Sequence, residues 1–234
     1  MNLSHAEIAD RLSRAVGLAK SLVGVNFFDK QHAVPAGLKR PDKPIYYCTA
    51  VSRAFKGESL LMLPEDHGCA RGAYALGVSE LPDNFKTGEP FAKGHMVAGA
   101  NAGKKLIDQL PRLIVGRTAA ISMMPLEKMA IEPDVVIASA NSRQALQLLN
   151  ATAYDTGLEI PMRFQIFMSF CAYATVWPFI SKGPNATFPQ GQARKRTDLA
   201  DEEIIVGFPF KLLPRAAEII EGMCCIAPKQ KEEQ

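Results

Sequence analysis

Apolar positions at helical spacing open the chain. Ile8, Leu12, Ala15, Val16 and Ala19 follow Ser4 and Glu7, whose Ser-x-x-Glu spacing predicts a capping box at a helix start. Gly24 is the expected stop, and Val25–Phe28 then predicts a short strand. Three prolines and Gly37 make 30–44 a loop. A helix is expected over Tyr46–Phe55, a strand over Ser59–Leu63, a tight polar loop over Glu65–Cys69 and a helix over Ala70–Leu76.

A helix follows near Lys104–Leu110. Then come two apolar runs, Thr118–Met123 and Val135–Ala138, which read as buried strands, the second of them central because it is apolar throughout. Asn141 caps a helix reaching Thr152, with Ala145, Leu148 and Leu149 on one face. Met162–Phe167 is a strand candidate. A helix from Ser169 should end before Pro178, because a proline disfavours helical backbone in the residue before it. Glu203–Phe208 predicts a strand and Leu212–Ile220 a helix. Strands and helices alternate without uniform βαβ spacing, which predicts one α/β domain over residues 1–228, a mixed sheet covered by helices, with a frayed tail over 229–234.

Composition narrows the function classes. At 47% hydrophobic and 22% charged, the chain can bury a substantial core. A net charge of +3 argues against nucleic acid or an anionic membrane as partner, and Arg194-Lys195-Arg196 reads as a solvated loop. No secretory h-region opens the sequence, and no apolar stretch approaches the roughly 20 residues of a membrane span. Five cysteines, an odd number at irregular spacing, predict reduced thiols and a cytoplasmic location.

A weak internal echo bears on the thiols. Cys48 and Cys171 each lie near a predicted helix start, while Gly68-Cys69-Ala70-Arg71 and Gly191-Gln192-Ala193-Arg194 each lie beyond the next strand. Both spacings, 48 to 171 and 69 to 192, are 123 residues. A duplicated unit would set the two segments about a pseudo-two-fold axis, with room for a ligand between halves.

Cys48, Cys69 and Cys171 are the main candidates for chemistry, since helix N-termini favour the thiolate that ligates soft metals or attacks electrophiles. His67, two residues before Cys69, is placed to share a metal or to pair with the thiolate. Phosphate-loop, dinucleotide, CxxC and nucleophile-elbow motifs are missing. The bland alternative is that the cysteines are small buried hydrophobes.

Val23-Gly24-Val25-Asn26-Phe27-Phe28-Asp29, Tyr47-Cys48-Thr49-Ala50-Val51 and Pro64-Glu65-Asp66-His67-Gly68-Cys69 resemble the bacterial and archaeal domain of unknown function 169 family. So do Pro125-Leu126-Glu127, Glu132-Pro133-Asp134-Val135-Val136 and Asp201-Glu202-Glu203 leading to Gly207-Phe208-Pro209. The ordered matches run from about residue 20 to residue 215. The resemblance implies cysteines at the positions of Cys48, Cys69 and Cys171 and brings no established reaction. It also implies, in many members, a cysteine near Gln190-Gly191-Gln192, where this chain has none; three thiolates plus another ligand are what remains.

Three functional readings follow. The first is a cofactor-binding protein in which Cys48, Cys69 and Cys171 hold a metal ion, an iron–sulfur cluster or a tetrapyrrole, with His67 as a further metal ligand and Arg71 and Arg194 offering charge to an acidic group. The second is a thiol enzyme with Cys69 as nucleophile and His67 as base. The third is a structural or regulatory partner protein whose cysteines only pack.

Overall fold

The computed structural model describes residues 3–30 and 34–223. The expected frayed tail, Cys224 and Cys225 lie outside the described residues. Helix α1 spans His5–Val16, with the Ser4–Glu7 capping box closed in both directions. It ends at Gly17, whose φ of 74° lets the last turn close onto Ser13, and not at Gly24. Gly24 lies inside strand β1, Val23–Phe28, where a Cβ would press at 3.0 Å on the Met129 side chain.

Helix α2 (Tyr47–Phe55), strand β2 (Leu60–Met62) and helix α3 (Ala70–Ala75) follow as the sequence predicts. Three short helices, α4 (Asp83–Lys86), α5 (Glu89–Lys93) and α6 (Ala100–Asp108), lead to β3 (Ala120–Pro125) and β4 (Val135–Ala140). Helix α7 (Ser142–Ala153) carries the expected Asn141 cap, reinforced by Gln144. The second half continues through a π-helix (Ser169–Val176), α8 (Trp177–Ser181), β5 (Asn185–Thr187), α9 (Gly191–Arg194), β6 (Ile204–Pro209) and α10 (Leu213–Ile219).

The six strands form one sheet in the order β2-β3-β1-β4-β6-β5, with β4 in the middle as its apolar run requires. Every strand pair is antiparallel, where a mixed sheet is expected from the sequence. The only parallel contacts among the described residues are two isolated bridges, Lys39 with Leu60 and Ile45 with His67. Each half steps outward from its first strand to an edge strand and back to the strand between them, and that path sets neighbours antiparallel.

The ladder registers show that the two halves repeat. Val23 pairs with Pro125 as Val135 pairs with Pro209, and Leu60 pairs with Met123 as Asn185 pairs with Gly207. At the centre, Val23 faces Ile137, Gly24 faces Val136 and Val25 faces Val135, a set that maps onto itself when the halves are exchanged. The Leu126 N–H donates to the Leu22 carbonyl in one half, and the Phe210 N–H to the Asp134 carbonyl in the other. The echo read from the cysteines is thus a pseudo-two-fold repeat of β1-α2-β2-α3-β3 by β4-π-helix-β5-α9-β6.

Alternation along the strands divides the core into two layers. Val136, Ala138, Val206 and Phe208 pack against α1, α7 and α10 through Ile8, Leu12, Leu148 and Leu213. Val135, Ile137, Val23 and Ile121 face the other way, onto α2 and the π-helix through Ala50, Val51, Phe170 and Ala174. A smaller cluster around Phe91, Ile107, Phe167 and Tyr173 joins α5 and α6 to the π-helix.

Two local expectations fail for identifiable reasons. Residues 162–167 form no strand. The Arg163 N–H and C=O are both taken by the Asn185 side chain, at 2.8 and 3.1 Å, instead of by a neighbouring strand. The helix from Ser169 passes Pro178, whose missing N–H leaves the Tyr173 carbonyl, five residues back, to be taken by the Asn185 side chain. The stretch before Pro178 is a π-helix held by outside contacts. From β5, Asn185 Nδ2 donates to the Tyr173 carbonyl at 3.0 Å, beside an internal bond from Thr175 Oγ1 to the Phe170 carbonyl at 2.8 Å. Gly207 makes the close approach possible, since a Cβ there would run into the Ala174 carbonyl.

Candidate functional site

The repeat brings two pairs of equivalent segments together: the start of α2 with the start of the π-helix, and α3 with α9. Between them lies a cavity of about 170 Å³. Cys48, Cys69 and Cys171 all border it. All three are free thiols.

Each sulfur is placed by its own element. Cys48 is the second residue of α2, beside Tyr47, whose buried hydroxyl meets Thr175 Oγ1 of the π-helix at 3.0 Å and ties the two halves together. Cys69 is the N-cap of α3, and its Sγ accepts the Gly72 N–H at 3.4 Å. Cys171 is buried in the first turn of the π-helix, just after Met168, which holds a left-handed φ of 61°. Gly72 forms the floor between two of the thiols. A Cβ on it would lie 3.7 Å from the Cys69 sulfur and 3.8 Å from the Cys171 sulfur.

Burial decides the protonation of the flanking thiols. It pushes Cys48 up to about 11, with the neighbouring Cys69 sulfur adding to the rise and Arg196 opposing it. Burial raises Cys171 further still, again with help from Cys69 and Cys48. At neutral pH both therefore keep their protons. A metal ion would have to displace those protons before sulfur could ligate it. Among the described residues, no group of three or more His, Cys, Asp and Glu side chains is arranged to hold a metal ion.

Two guanidiniums border the same cavity. Arg71 reaches it from α3, with its central carbon 5.4, 5.8 and 6.0 Å from the ring centroids of Phe85, Phe91 and Phe167. Arg196 reaches it from the other half, 4.2 Å from the Tyr46 ring centroid, and donates to the Gln192 carbonyl and side chain at 2.9 Å. The sequence pointed to Arg194 instead. That residue does not border the cavity, and donates to the main-chain carbonyls of Pro189, Ala200 and Glu203, bracing its own loop.

His67 is also away from the cavity lining. Its backbone bridges to Ile45, its Nε2 is buried with no hydrogen-bond partner among the described residues, and burial lowers its pKa to about 4. So weak a base does not fit the expected general base for Cys69, and its place off the cavity lining sets it apart from the thiols as a shared ligand. Ser169, Gln190, Gln192 and Arg196 border the cavity without having been singled out from the sequence. The spacing from 69 to 192 pointed to this segment, in which Gln190 is the N-cap of α9 as Cys69 is of α3, with Gln192 two residues on.

A protein-family model described as "Uncharacterised ArCR" matches residues 11–219. The chain belongs to the domain of unknown function 169 family. Among proteins of this kind, an uncharacterized protein of the archaeon Methanocaldococcus jannaschii is 28% identical over 217 residues, covering 92% of this chain and 93% of its own. No solved structure matches the chain. For this member of the domain of unknown function 169 family, the resemblance read from the cysteine-bearing segments is thus shown at the level of the family. No helix among the described residues is long and apolar enough to cross a membrane.

Proposed function

We propose that this protein binds a small cofactor or substrate in the cavity between its halves, with Cys69 as the sulfur that meets it and Cys48 and Cys171 as flanking thiols. The observation that supports this is the convergence of three free thiols from three separate elements on one cavity. Thiols that only fill space would have no reason to share an opening. Reduced sulfur at the site fits the cytoplasm.

The volume narrows the occupant. About 170 Å³ suits a small molecule or ion better than a tetrapyrrole, whose size calls for the roughly 300–1,000 Å³ of larger ligand pockets. A metal ion or iron–sulfur cluster would enter by drawing the sulfurs together and releasing the protons of Cys48 and Cys171. A thiol-enzyme reading keeps one supporting feature, the Gly72 N–H on the Cys69 sulfur, but lacks its base at His67.

Anaerobic purification followed by absorption spectroscopy, metal analysis and native mass spectrometry tests the proposal. The expected result is a stoichiometric metal, chromophore or added mass that is reduced in Cys69→Ser and weakened in Cys48→Ser and Cys171→Ser. A bound species indifferent to all three substitutions overturns it. So does a protein that carries nothing and shows no protection of Cys69 from alkylation by cell extract metabolites.

A further inference from the structure

The repeat gives an internal control for deciding which side chains fold the chain and which are held for something else. By the 123-residue sequence spacing Arg71 is matched with Arg194, two residues beyond the match given by the helix N-caps Cys69 and Gln190. Arg194 spends its guanidinium on three main-chain carbonyls. Arg71 makes no such bonds. Among the described residues no carboxylate and no hydrogen-bond acceptor engages it, and only the rings of Phe85, Phe91 and Phe167 lie against it. Aromatic packing restrains a guanidinium without consuming its N–H donors, and leaves a planar fork suited to a carboxylate or phosphate.

A second donor stands on the wall supplied by the other half. Ser169 is 2% exposed, borders the cavity, and has an Oγ without a hydrogen-bond partner among the described residues. A buried hydroxyl left unpaired costs stability, so its position calls for a partner. Arg196 adds a second positive charge on the same wall, and among the described residues no acidic side chain borders the cavity. The polar part of the lining is thus rich in donors and cationic.

Resting on the ligand-binding reading above, we propose that the ligand carries an oxyanionic group, a carboxylate or a phosphate. Arg71 grips that group through its N–H edges, Ser169 Oγ is a further donor, and the rest of the ligand lies against the thiols. The two chemistries share the same recognition and are separable by experiment.

The test uses the reduced full-length protein and reads alkylation of Cys69 by peptide mass spectrometry, with iodoacetate and iodoacetamide as an anionic and a neutral probe. In both reactions sulfur displaces iodide, a C–S bond replaces the C–I bond, and the thiol proton passes to solvent. The iodoacetate rate should saturate with concentration. Arg71→Gln should lower it about tenfold, Arg71→Lys and Ser169→Ala by less, while the iodoacetamide rate stays within about twofold of the parent. The iodoacetamide rate also reports whether each variant keeps its site intact. Protection of Cys69 by acetate but not inorganic phosphate assigns a carboxylate, and the reverse assigns a phosphate. Protection by neither, or equal loss of both rates in Arg71→Gln, overturns the oxyanion proposal and leaves the thiol site standing. A Cys69 that reacts with neither reagent removes the thiol site itself, and this proposal with it.

Discussion

Asn185→Leu tests whether the π-helix is held in place by one side chain. Asn185 is fully buried in β5, and by ladder register its counterpart in the first half is Leu60. Leucine is close to asparagine in size, so the substitution removes bonds and leaves little cavity. Three bonds go: one accepted from the Arg163 N–H at 2.8 Å, and two donated to the Arg163 and Tyr173 carbonyls at 3.1 and 3.0 Å. The Arg163 backbone lies in a half-exposed segment and can be rehydrated, whereas the Tyr173 carbonyl is enclosed. With a net loss of about 1 kcal/mol for each of the two Arg163 bonds and about 1–3 kcal/mol for the orphaned Tyr173 carbonyl, the expected destabilisation is about 3–5 kcal/mol. That is a large share of the stability of an ordinary domain. Urea unfolding followed by circular dichroism measures it, and alkylation of Cys171 in the folded variant should quicken as the π-helix loosens. A change under about 0.5 kcal/mol with an unaltered Cys171 rate would refute the reasoning.

Other outcomes follow from named groups. Gly72→Ala places a methyl in ordinary contact with the Cys69 and Cys171 sulfurs within a helix that favours alanine by about 1 kcal/mol. Its thermal midpoint should hold or rise while alkylation of Cys69 slows, and an unchanged rate would contradict the placement of Gly72 between the thiols. Cys48, raised by burial from 9.0 to about 11, contributes stability that is complete below pH 9 and is lost as pH rises towards 11. Cys48→Ala should flatten that alkaline decline, as followed by urea midpoints across the range. His67, lowered by burial from 6.5 to about 4, contributes stability present above pH 6.5 and lost as pH falls towards 4. His67→Gln should remove part of the acid loss, and parallel acid titrations of the two proteins would count against a buried neutral ring.

The elements with their own local signals were legible in the sequence. The Ser4–Glu7 box, the Asn141 cap and the apolar run at Val135 each carry a cause within a few residues, and each appears where expected. Gly24 shows the limit. A glycine after a helical pattern reads as a stop, but Gly17 was the left-handed one, and Gly24 is small because Met129 packs on it. The π-helix depends on Asn185 and Gly207 from other strands, contacts that no local pattern encodes. At the site, the three thiols were visible because the repeat left a sequence spacing. Arg196 was hidden inside a basic cluster, where nothing separated it from Arg194 until the carbonyls around Arg194 were seen. Ser169 had no signal, since a serine at a helix start is most simply a cap.

The middle of the sheet has a mechanical consequence. Within each half the inner ladder joins six residue pairs, Val23 to Phe28 with β3 and Val135 to Ala140 with β6. Where the halves meet, only Val23, Gly24 and Val25 pair with β4. This short join is a crease between the halves that wall the cavity, reinforced by the Phe27 N–H on the Asp134 carboxylate, the Asn26 side chain on the Glu132 carbonyl and the Tyr47–Thr175 hydroxyl contact. A molecule that touches Arg71 on one wall and Ser169 on the other acts as a rivet across that crease. Its binding energy then adds to the cohesion of the halves by mass action, so occupancy and resistance to opening rise together.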